Sequence, residues 1–169
     1  LIKLPAPETD AGILAVPDCV DGFRPDYFNL SSAIPEVFIT AWDALVSQGN
    51  LKSGGWALVH AGASGVGTAA IQICKAIGAN VIVTCSSGKR SACLSLGADL
   101  AVDYKTEDFV EVCNNATNKR GINVVLDVIG GEYLNKNVAS LALKGTIVQV
   151  GLMGGGTTPF NIAALMPKR

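Results

Sequence analysis

The chain has 169 residues, 49% of them hydrophobic, with seven prolines and a formal charge of −1, so it can bury one sizeable core and is too apolar to be disordered. Thirteen Lys and Arg against fourteen Asp and Glu, with no long basic run, leave no electrostatic footprint for nucleic acid. Five scattered cysteines without a Cys-x-x-Cys pair, and a single histidine, argue against a disulfide framework or a metal site and favour free thiols in a reducing compartment.

Residues 1–30 are broken by Pro5, Pro7, Gly12, Pro17, Gly22 and Pro25, with one short apolar run, Ile13–Val16, that suits an edge strand. They read as a piece of a separate element, and the main domain is placed at 31–169. Ser31-Ser32 offers a helix start, Pro35 is expected near its first turn, and Phe38, Trp42, Leu45 and Val46 recur at helical spacing up to Gly49. From residue 56 the pattern becomes regular. Trp56–Val59 is the first predicted strand, followed by a helix whose buried face includes Val66, Ala70, Ile73 and Ile77 and which stops at Gly78. Strands at 81–84, 101–102, 123–127 and 146–150 follow, with helices over 89–96, 107–117 and 133–143 between them. The strands are continuous apolar runs, as parallel strands covered on both faces require. The expected fold is therefore α/β, a Rossmann-type doubly wound parallel sheet. No run reaches the roughly 18–20 apolar residues of a membrane span, and the start lacks a secretory pattern; a cytoplasmic protein with no membrane partner is expected. The chain begins with Leu rather than Met, as a processed product, an engineered fragment or an excerpt of something longer would.

Between the first strand and its helix stands Gly62-Ala63-Ser64-Gly65-Val66-Gly67, a Gly-x-Gly-x-x-Gly fingerprint with Ser64 at the second glycine position. Gly62 permits the tight exit, a small residue at 64 lets a diphosphate approach the backbone, and Gly67 allows close helix–strand packing. The helix start offers unpaired N–H groups and a positive dipole end. A dinucleotide is the implied ligand. Past the second strand, where an acid would bind an unphosphorylated ribose, the chain reads Cys85-Ser86-Ser87-Gly88-Lys89-Arg90. Ser86 leaves room for a 2′-phosphate and Lys89 or Arg90 can neutralise it, so the cofactor is expected to be NADP(H), with no metal. Tyr104, past the third strand, suits either the adenosine ribose or simple packing. His60 reads as a buried hydrogen-bonding residue more than a proton carrier, and Asp127 as an orienter of backbone. Cys74 and Cys93 read as small core-facing helix residues.

The stretches Ala33–Leu45, Val59–Gln72, Leu96–Asp99 and Gly151–Gly156 together resemble the zinc-free quinone oxidoreductase branch of the medium-chain dehydrogenase/reductase superfamily. The resemblance implies NADPH-dependent reduction of a small-molecule quinone, in a parent roughly twice this length with a separate catalytic domain. Residues 1–30 then correspond to the tail of the N-terminal catalytic-domain segment, and 31–169 to a nucleotide-binding domain ending before a sixth strand. It implies that Thr40 approaches the nicotinamide, that Gly151 and Leu152 line the cofactor cleft and, less directly, that Asn161 contributes. It also implies a homodimer through the nucleotide-binding domain. No catalytic residue is assigned. Two competing functions stand beside this one: an NADPH-dependent enone or enoyl reductase, and a redox-inactive NADPH-binding module. Gly154–Gly156 reads either as a mobile lid or as a turn.

Overall fold

The computed structural model describes the backbone of residues 25–169 and the side chains of residues 34–169. The Ile13–Val16 strand expectation and Cys19 lie outside the described residues.

Five strands, β1 (Trp56–Val59), β2 (Asn80–Cys85), β3 (Leu100–Asp103), β4 (Ile122–Asp127) and β5 (Leu141–Gln149), form one sheet in the order β3-β2-β1-β4-β5. Every neighbouring pair is parallel, so each connection is a crossover on the sheet's faces. Neighbouring residues along a strand enter different cores. Ala57, Val59, Val81, Val83, Val124 and Leu126 pack on one face, while Leu58, Ile82 and Val125 pack on the other with Val102, Phe109, Cys113 and Ile122. Two buried faces explain why the strands read as unbroken apolar runs. The fold is an α/β Rossmann-like parallel sheet, and its order reverses between β1 and β4, the switch point at which such sheets take ligands.

The helices are α1 (Pro25–Trp42), α2 (Gly65–Ala76), α3 (Arg90–Ser95), α4 (Phe109–Ala116) and α5 (Tyr133–Ser140). Three boundaries differ from the expected ones. First, α1 begins at Pro25 rather than near Ser31, so it crosses the 30/31 boundary and carries Pro35 inside; Pro25, with a fixed φ and no N–H to satisfy, suits a first helical position. Second, α1 continues as a π-helical stretch, Asp43–Gln48. Its buried side chains are Ala41, Ala44 and Leu45, whereas Trp42, one of the apolar positions at helical spacing, is 45% exposed. Small residues at 41 and 44 let α1 lie close to α2 and leave the bulky indole outside.

Third, α5 stops at Ser140, not Leu143, because Leu141 turns extended (φ −64°, ψ 143°) and starts β5. The pairing of β5 with β4 is irregular between Ile122 and Val124, which absorbs Lys144, at φ 58°, and Gly145. The Lys168 ammonium donates to the carbonyls of Ala139 and Leu141, supplying the cation that a helix C-terminus favours. Among the described residues no helix is long and apolar enough to cross a membrane.

Candidate functional site

The site is built where the strands end. At the β1 exit, His60 N–H still donates to Leu126 of β4 (3.0 Å), while Ala61 N–H turns to the Thr84 hydroxyl (3.3 Å) and Gly62 N–H to the Thr84 carbonyl (2.9 Å) of β2. The chain is thus held from both sides as it leaves the sheet. Ala61 adopts φ 53°, an unusual conformation for a residue with a Cβ. At Gly62 a Cβ would stand 2.5 Å from the Val83 Cβ, and at Gly67 one would stand 2.4 Å from the Ala61 carbonyl oxygen. Both glycines are therefore dictated by space. Ser64 caps α2, its hydroxyl accepting from Gly67 N–H at 3.1 Å.

Among the described residues, the N–H groups of Ala63, Gly65 and Val66 have no protein acceptor. Ser64 and Gly65 are exposed. This arrangement fits a diphosphate: several unused donors at the positive end of a helix, in a bend with no room for larger side chains. Val37 of α1 borders the bend, its Cγ1 lying 3.1 Å from where a Gly65 Cβ would be. Thr40 follows three residues later on the same side of α1 and is half-buried.

Ser86, Lys89 and Arg90 lie at the β2 exit, beside Tyr104 at the β3 exit, whose N–H donates to the Cys85 carbonyl at 3.3 Å. Tyr104 is 48% exposed. The two cations are not equivalent. Arg90 Nη1 is bound to Glu107 Oε2 at 2.7 Å, and the same carboxylate oxygen accepts from Asp103 N–H at 2.7 Å. Lys89 is exposed and forms no ion pair with any described residue. Cys85 is buried and burial raises its thiol pKa, as it raises that of Cys93 to about 11 and that of Cys74 to about 12. These are packing thiols.

Gly151 and Leu152 follow β5. Gly151 N–H donates to the Asp127 carbonyl (3.3 Å), and a Gly151 Cβ would meet the Val128 carbonyl oxygen at 3.1 Å. Leu152 is exposed. The glycine run is a turn pinned to the β4 exit, through Met153 N–H to Val128 (3.1 Å) and Gly154 N–H to Ile129 (2.7 Å). Asn161 caps a further short helical segment, Ile162–Lys168, through Ala163 N–H at 3.1 Å. The strand order therefore ranges the predicted residues along one edge of the sheet. Tyr104, Ser86 and Lys89 lie over β3 and β2, the glycine bend over β1, and Gly151 and Leu152 over β5.

Beneath this edge is a buried polar chain that sequence reasoning found only in part. His60, Thr84, Asp127 and Asn137 are all 2% exposed or less. His60 Nδ1 lies 3.0 Å from Thr84 Oγ1 and its Nε2 lies 2.7 Å from Asn137 Oδ1, while Asn137 Nδ2 donates to Asp127 Oδ2 at 2.8 Å. Asp127 Oδ1 accepts from Ile129 (2.6 Å) and Gly130 (3.0 Å) N–H groups. The imidazole also packs edge-on against Phe109 and Tyr133. Burial lowers the His60 pKa, opposed by the Asn137 hydrogen bond and the Asp127 charge. In the sequence His60 stood out as a buried hydrogen-bonding residue and Asp127 as an orienter of backbone, whereas Thr84 and Asn137 were not singled out. No group of three or more His, Cys, Asp or Glu that could hold a metal occurs among the described residues.

The family model described as zinc-binding dehydrogenase matches residues 65–169. The phenolphthiocerol synthesis polyketide synthase Pks15/1 of Mycobacterium bovis is 36% identical over 126 residues, 73% of this chain; the chain spans only 6% of that protein. The nucleotide-binding subdomain of the enoylreductase domain of PpsC from Mycobacterium tuberculosis has a TM-score of 0.72 at 31% identity, with 80% of this chain and 76% of that chain covered. A mycobacterial quinone oxidoreductase gives 0.71 at 30% identity, covering 80% of this chain and 42% of that one. The glycine bend, the all-parallel sheet and these matches lead to one conclusion: the chain belongs to the zinc-binding dehydrogenase family and has the nucleotide-binding fold of the medium-chain dehydrogenases/reductases.

Proposed function

We propose that this chain is the nucleotide-binding part of an NADPH-dependent reductase that acts on an activated carbon–carbon double bond, such as an enoyl thioester or an enone. The observation that carries the cofactor is the bend at 62–67, with three N–H groups that no described residue accepts from, next to a β2 exit where Lys89 forms no ion pair with a described residue and residues 85–90 include no acid. The substrate class rests on similarity to an enoylreductase subdomain of which the chain covers 76%.

Bound NADPH supplies a hydride from C4 of its nicotinamide. The chain's own residues bind and orient it. Ala63, Gly65 and Val66 donate to the diphosphate, with Gly62, Ser64 and Gly67 giving it clearance. Lys89 neutralises the 2′-phosphate and Ser86 donates to it, while Tyr104 flanks the adenosine ribose. Arg90, committed to Glu107, shapes the loop and is not the phosphate's main partner. Thr40, Gly151 and Leu152 border the nicotinamide end, which matches ligand binding outside the carboxyl ends of parallel strands.

Reduction of quinones is the second reading, favoured by the mycobacterial quinone oxidoreductase match. NADPH oxidation by the complete protein distinguishes the two. With an enoyl thioester and a benzoquinone compared at equal concentration, kcat/KM should favour the thioester by at least about tenfold, roughly the weight of one specific polar contact. A preference for the quinone contradicts the proposal.

A further inference from the structure

We propose that Thr84, His60 and Asn137 are positioning residues that carry the fixed charge of Asp127 to the entrance of the bend at 62–67 and so set its geometry for the diphosphate. This rests on the reading of that bend as the diphosphate site.

Donor and acceptor balance fixes the direction of each hydrogen bond. A carboxylate only accepts. Asp127 therefore forces the amide nitrogen of Asn137 towards itself, at 2.8 Å, and turns the amide oxygen to His60 Nε2, at 2.7 Å. That nitrogen must carry the ring proton. The neutral ring keeps a lone pair on Nδ1, which takes the Thr84 hydroxyl hydrogen at 3.0 Å. With its hydrogen committed, the Thr84 oxygen faces Ala61 N–H, at 3.3 Å, as an acceptor. Each link has one permitted direction, and the last one grips the residue at φ 53° that opens the bend.

The chain is closed at both ends. His60 is fully buried, both ring nitrogens are engaged, and no buried side-chain polar atom among the described residues lacks a partner. A proton-delivery route would need an opening to solvent, whereas His60, Thr84, Asp127 and Asn137 are each 2% exposed or less. Burying four polar side chains, one of them charged, has a desolvation cost that apolar residues would avoid. What the polar chain adds is a link between the β4 exit, held by Asp127, and the bend over β1.

The test uses Thr84→Val, which keeps the branched shape, Thr84→Ser as rescue, Asn137→Leu, and the Thr84→Val/Asn137→Leu double variant. Without ligand, the Ala61 amide resonance should move in Asn137→Leu and in Thr84→Val, and should lie close to its wild-type position in Thr84→Ser. With NADPH, each single loss should raise Kd about five- to tenfold, the weight of one buried hydrogen bond. The double variant should match the single variants, because both break the same chain. An unmoved Ala61 resonance, or Kd factors that multiply in the double variant, overturns the proposal. Should Asn137→Leu fail to fold, Thr84→Val against Thr84→Ser decides by Kd: equal values overturn it. A wild-type protein that does not bind NADPH, while Ala61 still responds to Asn137→Leu, sinks the diphosphate reading and leaves the buried link standing.

Discussion

Lys89 and Arg90 are adjacent cations, yet their surroundings divide the work between them. Arg90 is tied to Glu107 at 2.7 Å, while Lys89 has no described ionic partner, so a 2′-phosphate gains more from Lys89. Lys89→Gln should weaken NADPH binding by about ten- to a hundredfold, the range of a charge-assisted hydrogen bond, and leave NADH unchanged. Isothermal titration with both cofactors checks this; an equal loss for both, or a larger selective loss in Arg90→Gln, reverses the assignment. His60 gives a second expectation, clear because the sequence has no other histidine. As pH falls through about 6.5 the unfolded chain protonates this ring, whereas burial holds the folded ring's pKa lower against the pull of Asn137 and Asp127. The folded state then binds fewer protons than the unfolded one. Stability present above about pH 6.5 should decline below it at up to about 1.4 kcal/mol per pH unit. Urea midpoints between pH 7.5 and 5.5 measure this, and a flat profile contradicts it. At this scale the glycines, Ser64 and the acid-free stretch after β2 were legible, because their chemistry is local to a few consecutive residues. The positive φ of Ala61 and the partnership of His60 with Asn137 were not, since 77 positions separate those two in the chain.

The contact between α2 and the β1 exit depends on a missing side chain. A Cβ at Gly67 would lie 2.4 Å from the Ala61 carbonyl oxygen and 2.6 Å from the Gly62 Cα, both backbone atoms that cannot swing aside. Gly67→Ala should therefore push helix and bend apart and destabilise by about 1–3 kcal/mol, as overpacking does, with a parallel loss of NADPH affinity. Chemical denaturation tests the first part; wild-type stability would show that the bend can slide without cost. The strands were readable because both faces are buried and the apolar runs are continuous. The helix ends were less so. The start of α1 at Pro25 was masked by the plausible cap at Ser31-Ser32, and the strand character of Leu141–Leu143 depends on pairing with β4 and on Lys168, which donates to the carbonyls at the end of α5; no local window contains these partners.

Across the whole molecule, the order β3-β2-β1-β4-β5 converts residues far apart in sequence into one row along the sheet edge. The crossover pattern was foreseeable from alternating strand and helix segments, and the parallel pairing follows from it. Substrate class was less accessible. The resemblance in the glycine-rich motifs pointed to quinone reduction, whereas similarity to an enoylreductase subdomain favours the proposed activated alkene; a glycine-rich bend between strand and helix speaks to a diphosphate and carries no information on the second substrate. A crystal structure of the protein with NADP+ tests most directly the proposal that the bend at 62–67 receives a diphosphate. The diphosphate oxygens should lie within hydrogen-bonding distance of the Ala63, Gly65 and Val66 N–H groups, with the 2′-phosphate at Lys89. A diphosphate bound elsewhere, or none at saturating cofactor, would contradict it.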